Sequence, residues 1–427
     1  MQAIFRDKQV LSWALYDWGN SAYATCVLAA FFPAFYKEYW SAGLDASTST
    51  FHLGIANSLS SLMLVVLAPV LGSMADSSAA RKWFLGFFAL LGISMTAALY
   101  FVAQGHWLLA ISIFAIGNLA FSGANIFYDS LLVHVAPRER LDVVSAYGYA
   151  LGYLGGGVLF AISVAMLLWP DVFGLPNKAQ AVRIVFLCVA VWWLLFSLPL
   201  FINVPEPPGT GLGGASNAVS AGFRQLRNTV REIRKLRVVL LFLVAYWLYI
   251  DGVDTIVRMA VDFGMSIGFD MSNLLTALLI TQFVAFPAAI GFGYLGERIG
   301  AKAGILIAIG VYIAVTVWAS SMQQISEFYV LAVIIGLVQG GVQSLSRSLY
   351  ARIIPANKSA EYFGFYNMLG KFAAVLGPLM VAFASVLTGD PRKALLTIVI
   401  LFVAGGLLLW RVDEREGARM AQELARL

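Results

Sequence analysis

The stretch WALYDWGNSAYAT, residues 13–25, places an acidic side chain inside a segment that is long and apolar enough to cross a membrane. A bilayer is spanned by roughly 20 apolar residues, and residues 11–36 form such a run. Asp17, Asn20 and Ser21 stand at i, i+3 and i+4, so a helix would carry them on one face. Because an ionised group at mid-bilayer is costly unless it meets water or a partner, this polar face indicates a functional site.

The polar face occurs twice in the chain, which predicts an internal duplication. At an offset of 234, Trp13, Asp17, Asn20 and Ser21 recur as Trp247, Asp251, Asp254 and Thr255. At an offset of 218, Asn125, Asp129, Ser130, Leu131 and Pro137 recur as Gln343, Arg347, Ser348, Leu349 and Pro355. The two halves therefore look like copies of one six-helix unit, in the parallel-repeat arrangement found among secondary transporters.

The composition is that of an integral membrane protein. Of 427 residues, 60% are hydrophobic and 12% are charged, and the mean hydropathy is +0.81. The net charge of +5 comes from basic residues between apolar segments, so membrane loops explain it and no nucleic-acid partner is expected. Cys26 and Cys188 both fall in apolar segments, which supports neither a disulfide framework nor a metal site, and we expect no cofactor.

Hydrophobic runs predict an all-α protein of twelve transmembrane helices in two pseudo-symmetric six-helix bundles. The first run carries Asp17 and lacks a clear cleavage site, so we interpret it as a retained helix and not as a signal peptide. The predicted spans are 11–36, 51–73, 83–103, 107–133, 143–168, 182–202, 238–261, 272–295, 302–322, 327–351, 361–387 and 393–411. The predicted units are an N-terminal bundle (1–202), a linker (203–237), a C-terminal bundle (238–411) and a tail (412–427).

The distribution of basic residues predicts the orientation. With both termini in the cytoplasm, 20 of the 28 Lys and Arg residues lie in cytoplasmic segments and five lie in outer loops. We therefore expect a multi-pass membrane protein with both termini in the cytoplasm. The linker is either a basic amphipathic helix on the membrane surface, with Phe223, Leu226, Val230 and Ile233 on one face, or a solvated connection.

Buried polarity distinguishes the spans expected to line an interior from those that face lipid. Spans 3, 6, 9 and 12 carry no ionisable residue in their middle, whereas spans 1, 4, 7, 10 and 11 do. The candidate solute-binding or coupling residues are Asp17, Asn20, Ser21, Asn118, Asn125, Asp129, Asp251, Asp254, Arg258, Gln339, Gln343, Arg347, Asn367 and Lys371.

Some of these residues have equally plain structural interpretations. Asn118 and Gln339 could serve only to join neighbouring helices by hydrogen bonds. Asp254 and Arg258 are four residues apart and could form a structural ion pair. Asp17, Asp129, Asp251, Arg347 and Lys371 have no opposite charge within one turn of their own helix, so they require partners on other helices or water.

Two loops resemble the 2–3 and 8–9 loop motif of the major facilitator superfamily. These are GSMADSSAARK at 72–82 and GYLGERIGAK at 293–302. The second copy matches well, whereas the first has Ser77, Ala79 and Ala80 where the motif has arginine, glycine and arginine. The resemblance implies that Asp76 and Glu297 stabilise closure of the cytoplasmic side. The gating candidates are Asp76, Arg81, Gly293, Glu297 and Arg298.

Three further segments resemble the vacuolar effluxers, the family of autophagy-related protein 22, and their bacterial relatives. They are YDWGNSAYAT at 16–25, QSLSRS at 343–348 and EYFGFYNMLGK at 361–371. Fungal members of that family are associated with amino acid export from the vacuole. The resemblance implies the fold more strongly than the substrate.

The sequence therefore predicts a secondary transporter, expected to be a monomer, that moves a small polar or zwitterionic solute such as an amino acid or peptide by alternating access. Asp17 and Asp129 are expected on one side of the solute, and Asp251, Arg347 and Lys371 on the other. One of the aspartates could carry a coupled proton. The alternatives are an exporter of drugs or amphiphiles and a non-transporting receptor. No catalytic motif such as HExxH, GxSxG or a P-loop occurs, so no enzyme is expected.

Overall fold

The protein is a bundle of long helices, seen in a computed structural model that describes residues 6–44, 46–209, 231–232 and 236–425. Within the described part of the chain the regular elements are all helical. The helices are α1 (Lys8–Ala22, continued to Trp40), α2 (Ala46–Ser78), α3 (Arg81–Ala98), α4 (Trp107–Val135), α5 (Leu141–Leu168), α6 (Lys178–Asn203), α7 (Arg237–Ser266), α8 (Met271–Ile299), α9 (Ala301–Ala319), α10 (Ile325–Ile353), α11 (Ser359–Thr388), α12 (Thr397–Trp410) and α13 (Glu414–Ala425).

Eleven of these helices, α2 to α12, are long and apolar enough to cross a membrane. The first predicted span is also helical, but it changes pitch: Tyr23–Phe31 and Tyr36–Trp40 are π-helical, with a four-residue α-helical turn between them. Pro33 lies in that turn and has no amide hydrogen to donate, so a regular α-helical ladder cannot continue through it. The predicted all-α fold and twelve spans are thus confirmed, with helix ends within about five residues of the predicted bounds.

Local sequence determines where the helices begin and end. Asp7 accepts hydrogen bonds from the first amides of α1, and Asn177 does the same for α6. Gln324 and Glu327 form a capping box at the start of α10. At the far end of α11, Gly389 adopts a left-handed φ of +63°, which a residue without a Cβ adopts at little cost.

The two halves pack most extensively along two equivalent pairs of helices, α5 with α8 and α2 with α11. Glycines permit these close approaches. A Cβ on Gly72 of α2 would lie 2.5 Å from the Ala360 carbonyl oxygen of α11, and a Cβ on Gly293 of α8 would lie 2.6 Å from the Ala146 side chain of α5. Of the amphipathic segment predicted at 223–233, only residues 231–232 belong to the described part of the chain, so the prediction lies otherwise outside the described residues.

Candidate functional site

Asp76 and Arg81 join the two bundles at the end of the molecule where α2 ends and α11 begins. The Asp76 carboxylate accepts hydrogen bonds from the Ala360 and Glu361 amides at 3.1 and 2.9 Å, so it sits on the positive N-terminus of α11. Arg81 donates to Asp76 at 2.7 Å and to the Asn357 carbonyl oxygen at 3.2 Å. Arg81 is fully buried, so this contact is a sealed junction between the bundles.

The second copy of the loop motif makes a related but looser contact. Glu297 accepts a hydrogen bond of 2.7 Å from Arg140, which lies between α4 and α5. Gly293 packs against the first turn of α5, while Arg298 is exposed and has no hydrogen bond or ion pair with the described residues. Of the five predicted gating residues, four therefore lie at contacts between the bundles and Arg298 does not.

A third junction at the same end was missed from the sequence. Asp142, in the first turn of α5, accepts hydrogen bonds from Ser348 and Arg352 of α10, at 2.5 and 3.0 Å. Arg352 also pairs with Glu414 of α13. Asp142 lies just outside the predicted span 5, where an acidic residue is ordinary, so nothing in the sequence distinguished it from a solvated loop residue.

Arg347 forms the central contact of the molecule. Its guanidinium lies 3.0 Å from an Asp129 carboxylate oxygen and 3.7 Å from an Asp17 carboxylate oxygen. It also donates to the hydroxyl and the carbonyl oxygen of Ser145, at 3.0 and 2.8 Å. Arg347 belongs to α10 and the other three to α1, α4 and α5, so one side chain fastens the C-terminal half to three helices of the N-terminal half.

Aromatic rings enclose this guanidinium. Its central carbon lies 4.9 Å from the centroid of Trp13, 5.5 Å from Tyr128 and 4.2 Å from Tyr149, distances at which a cation is attracted to a ring. Arg347 is 1% exposed, so its charge depends on these rings and on the two carboxylates. Replacing any one partner would leave a buried charge poorly compensated.

Asp17 and Asp251 occupy equivalent positions in their bundles, as the repeat predicts. Asp17 accepts a hydrogen bond from Ser21 at 3.2 Å and lies against Gly152 of α5. Asp251 accepts from Thr255 at 3.3 Å and from the Gly377 amide of α11 at 2.9 Å. Each acid therefore packs on a glycine of the equivalent helix.

The expected grouping of Asp251 with Arg347 and Lys371 is wrong. Asp251 is fully buried in contact with α11 of its own bundle, and its second carboxylate oxygen has no hydrogen-bond partner among the described residues. Arg347 instead lies with Asp17 and Asp129, because its side chain crosses to the N-terminal half. The duplicated sequence motif thus places equivalent acids, but only the first of them faces the opposite bundle.

Several other predicted residues lie next to the central contact, and Asn118 lies apart from it. Asn367 donates to Asp129 at 3.0 Å, and Asn20 donates to Asn125 at 2.5 Å. Gln343 accepts from Tyr153 at 2.5 Å, across the two halves. Asn118 donates to Asn57 of α2 at 3.2 Å, and its distance from the central contact supports the joining role considered for it.

Asp254, Arg258 and Lys371 form a second charged cluster, on α7 and α11. Asp254 and Arg258 lie 3.9 Å apart, with 25% and 45% of their side chains exposed. Lys371 interacts electrostatically with Asp254, and its ammonium lies 5.7 Å from the Phe121 ring of α4. Within this cluster two basic groups share one carboxylate, and nearly half of the Arg258 side chain is exposed.

Glu206 follows α6 and compensates for a missing helix cap. Ala80 precedes α3 and has no side chain able to cap it, and the Glu206 carboxylate accepts hydrogen bonds of 2.8 Å from both the Arg81 and the Lys82 amides. Burial raises the pKa of Glu206, an effect that these two amides oppose.

Comparisons with known proteins agree with this architecture. The sequence profile of the family described as "Vacuole effluxer Atg22 like" matches residues 41–138 and 133–422. The chain is 40% identical over 418 residues to the uncharacterized MFS-type transporter YxiO of Bacillus subtilis (strain 168), covering 97% of each chain. It is 24% identical to autophagy-related protein 22 of Yarrowia lipolytica, over 90% of this chain and 78% of that protein.

The fold is similar to that of the major facilitator superfamily proton:xylose symporter XylE bound to 6-bromo-6-deoxy-D-glucose. The TM-score is 0.72 at 15% sequence identity, over 96% of both chains. At that identity the likeness concerns the fold alone. Together, the duplicated bundles, the loop motifs and the family match show that this multi-pass membrane protein belongs to the Atg22-like family of major facilitator superfamily transporters.

Proposed function

We propose that this chain moves a small zwitterionic solute, an amino acid or a short peptide, by alternating access between its two bundles. The observation that carries the proposal is Arg347, a buried cation of one bundle held by Asp17 and Asp129 of the other. A contact of this kind must break when the bundles separate on that side. A solute can drive such a change only by binding one state more tightly than the other.

The balance of charge supports a zwitterion. Around Arg347 two carboxylates share one guanidinium, whereas around Asp254 one carboxylate is shared by Arg258 and Lys371. The first cluster thus has an excess of acid and the second an excess of base. A solute with an ammonium and a carboxylate complements both.

The spacing of the two clusters also suits a small solute. Asn367 donates to Asp129 in the first cluster, and Lys371 of the second lies four residues further along α11. Four residues correspond to a rise of about 6 Å in an α-helix. An amino acid bound between the clusters could place its ammonium near Asp17 or Asp129 and its carboxylate near Lys371.

A proton could act on the same contact. Protonation of Asp17 or Asp129 would remove a negative charge that holds Arg347 and would weaken the junction between the bundles. The direction of transport proposed from the family resemblance is export. We further propose that the protein works as a monomer in the bacterial inner membrane, with the closed end, which carries Asp76 and Asp142, in the cytoplasm.

Counterflow in proteoliposomes tests the proposal. Vesicles loaded with a mixture of unlabelled amino acids and dipeptides should accumulate at least one labelled member of that mixture, and protein-free vesicles should not. Lys371→Gln should lower accumulation strongly because it removes a basic group expected to meet the solute carboxylate. Arg419→Gln, which changes a 72% exposed side chain of α13, should leave it unchanged.

Two outcomes would contradict the proposed function, and a third would contradict the proposed solute site. Binding of a solute without counterflow would favour a receptor, and counterflow of neutral amphiphiles but of no zwitterion would favour a drug exporter. Equal counterflow in Lys371→Gln and in the unaltered protein would remove the basic cluster from the solute site.

A further inference from the structure

The C-terminal bundle contains an apolar cavity that is separate from the charged clusters. It has a volume of about 90 Å³ and lies between α7, α8, α9, α10 and α12. Most of its lining is aliphatic, aromatic or sulfur-containing, with Met259, Phe263 and Phe328 among the larger side chains. A cavity needs roughly 10–15 Å³ to hold one water, so this cavity is several times larger than a site for a single water.

Among the described residues, three polar side chains line the cavity: Thr281, Thr316 and Gln339. The Thr281 hydroxyl donates to two backbone carbonyl oxygens and the Thr316 hydroxyl to one, so both are engaged. Gln339 is 8% exposed, and its side-chain oxygen has no hydrogen-bond partner among the described residues. A buried water requires two to four polar partners, whereas an unpaired buried acceptor is itself costly. The chemistry therefore favours an apolar occupant with one donor.

The N-terminal bundle serves as an internal comparison, because the equivalent positions there carry aromatic rings. At the offsets of 234 and 218 found in the sequence, Tyr23, Phe114 and Phe121 correspond to Val257, Ala332 and Gln339, all three of which line the cavity. In the N-terminal bundle these rings are buried and packed. Tyr23 lies 4.9 Å from Phe121, and Phe114 stacks on Phe32 with centroids 3.9 Å apart.

In the N-terminal copy of the six-helix unit, side chains of the unit itself therefore fill this region. In the C-terminal copy the same region is open. Rings occupy this place in the N-terminal copy, so the cavity is a difference between the two bundles and not a property of the repeated unit. The replacement of Phe121 by an amide at Gln339 adds an acceptor at the same place. Both differences suit a ligand that supplies the missing ring and the missing hydrogen-bond donor.

We propose that this cavity binds a compact apolar molecule with one hydrogen-bond donor, of the size and chemistry of a phenol. The hydroxyl of the ligand donates to the Gln339 side-chain oxygen. Its apolar body packs between α7, α9 and α10 in the space that corresponds to Phe114 and Phe121 of the N-terminal bundle. The site is independent of the solute site proposed between the bundles, because Arg347 and Lys371 do not line it.

Fluorine NMR on the full-length protein in lipid nanodiscs tests this inference, with 4-fluorophenol and 4-fluorotoluene as probes of nearly equal shape. The unaltered protein should show saturable one-to-one binding of 4-fluorophenol above the partitioning seen in empty nanodiscs. It should bind 4-fluorotoluene about tenfold more weakly, because that probe cannot donate to Gln339. Gln339→Leu should abolish this preference while still binding both probes.

Filling the cavity should abolish binding. Ala332→Phe introduces the residue found at the equivalent position 114 and should eliminate saturable binding of both probes, and Ala332→Leu provides a smaller filling variant if the first fails to fold. Val330→Phe changes a 46% exposed residue of the same helix and should bind 4-fluorophenol as the unaltered protein does. Saturable binding that survives in a folded filling variant, or none in the unaltered protein, would overturn the inference.

Discussion

Replacing Asp129 with asparagine should open the junction that Arg347 makes between the bundles. The guanidinium lies 3.0 Å from the Asp129 carboxylate, and the side chains of Arg347 and Asp129 are 2% and 10% exposed. Removing one partner of a buried ion pair costs about 3–5 kcal/mol. The asparagine keeps one hydrogen-bond acceptor, and the Asp17 carboxylate remains 3.7 Å from the Arg347 guanidinium. We therefore take the lower figure, about 3 kcal/mol.

A cost of that size corresponds to a factor of about one hundred in the ratio of closed to open states. A closed state populated at roughly 99:1 would fall to about 1:1. Distances between spin labels report this change directly. Ser78 at the end of α2 and Arg298 at the end of α8 are exposed at the closed end, one on each half. Labels at cysteines placed there, in a background without Cys26 and Cys188, should show one short distance in the starting protein and a second, longer one in Asp129→Asn.

Asp171→Asn provides the matched control, because it makes the same chemical change at an exposed residue outside the junction. It should leave the distance distribution unaltered. If folded Asp129→Asn gives the same single distance as this control, the Arg347 junction does not hold the bundles together and the reasoning fails.

Three substitutions, at Gly377, Ala79 and Glu206, should change the melting temperature in stated directions, and a fourth, at Gly291, serves as a control. Gly377→Ala should lower it, because the new Cβ would lie 2.8 Å from the Asp251 carboxylate, whereas Gly291→Ala has open space and should be neutral or stabilise by up to about 1 kcal/mol. Ala79→Gly should raise the melting temperature by adding roughly 1 kcal/mol to the free energy of unfolding. Ala79 holds a left-handed φ of +51°, at a position where the loop motif has glycine. Glu206→Ala should lower stability by about 1 kcal/mol through loss of the α3 cap. A melting temperature that rises in Gly377→Ala, falls in Ala79→Gly or stays constant in Glu206→Ala would contradict the corresponding contact.

The sequence predicted the fold well, because the signals for a membrane protein are long and repeated. Twelve apolar runs and two constant offsets predicted the helices and the duplication, which the helical architecture and the family match confirm. The π-helical stretches of the first span were not predictable, since the local sequence around Pro33 is compatible with a plain kink as well.

The candidate site was predicted only in part, because sequence periodicity gives the face of a residue on its own helix but not the reach of its side chain. Arg347 was correctly expected to need partners on other helices, and the structure supplies Asp17 and Asp129. Asp251 was expected at the same site because it repeats Asp17, yet it is sealed against Gly377. The repeat preserves backbone packing, whereas the side chains differ: the counterpart of Arg347 of α10 is Asp129 on α4, so the buried arginine is not duplicated.

The partners contributed by the first turns of α5 and by aromatic residues were missed. Ser145 and Asp142 lie at the start of α5, next to a predicted boundary, and carry no pattern that separates them from ordinary polar residues. Trp13 and Tyr149 were compatible with simple packing, and only the fold shows that they enclose a cation.

The most direct test of the central claim compares a transported amino acid with two analogues that each lack one of its charges. The assay measures how well each compound inhibits counterflow of the labelled amino acid in proteoliposomes. One analogue has an amide in place of the carboxylate, and the other lacks the ammonium group. Each analogue should inhibit at least tenfold more weakly than the unlabelled amino acid, because each leaves one cluster without its partner. Equal inhibition by all three compounds, or inhibition only by uncharged amphiphiles, would contradict binding of a zwitterion between the Asp17–Asp129–Arg347 and Asp254–Arg258–Lys371 clusters.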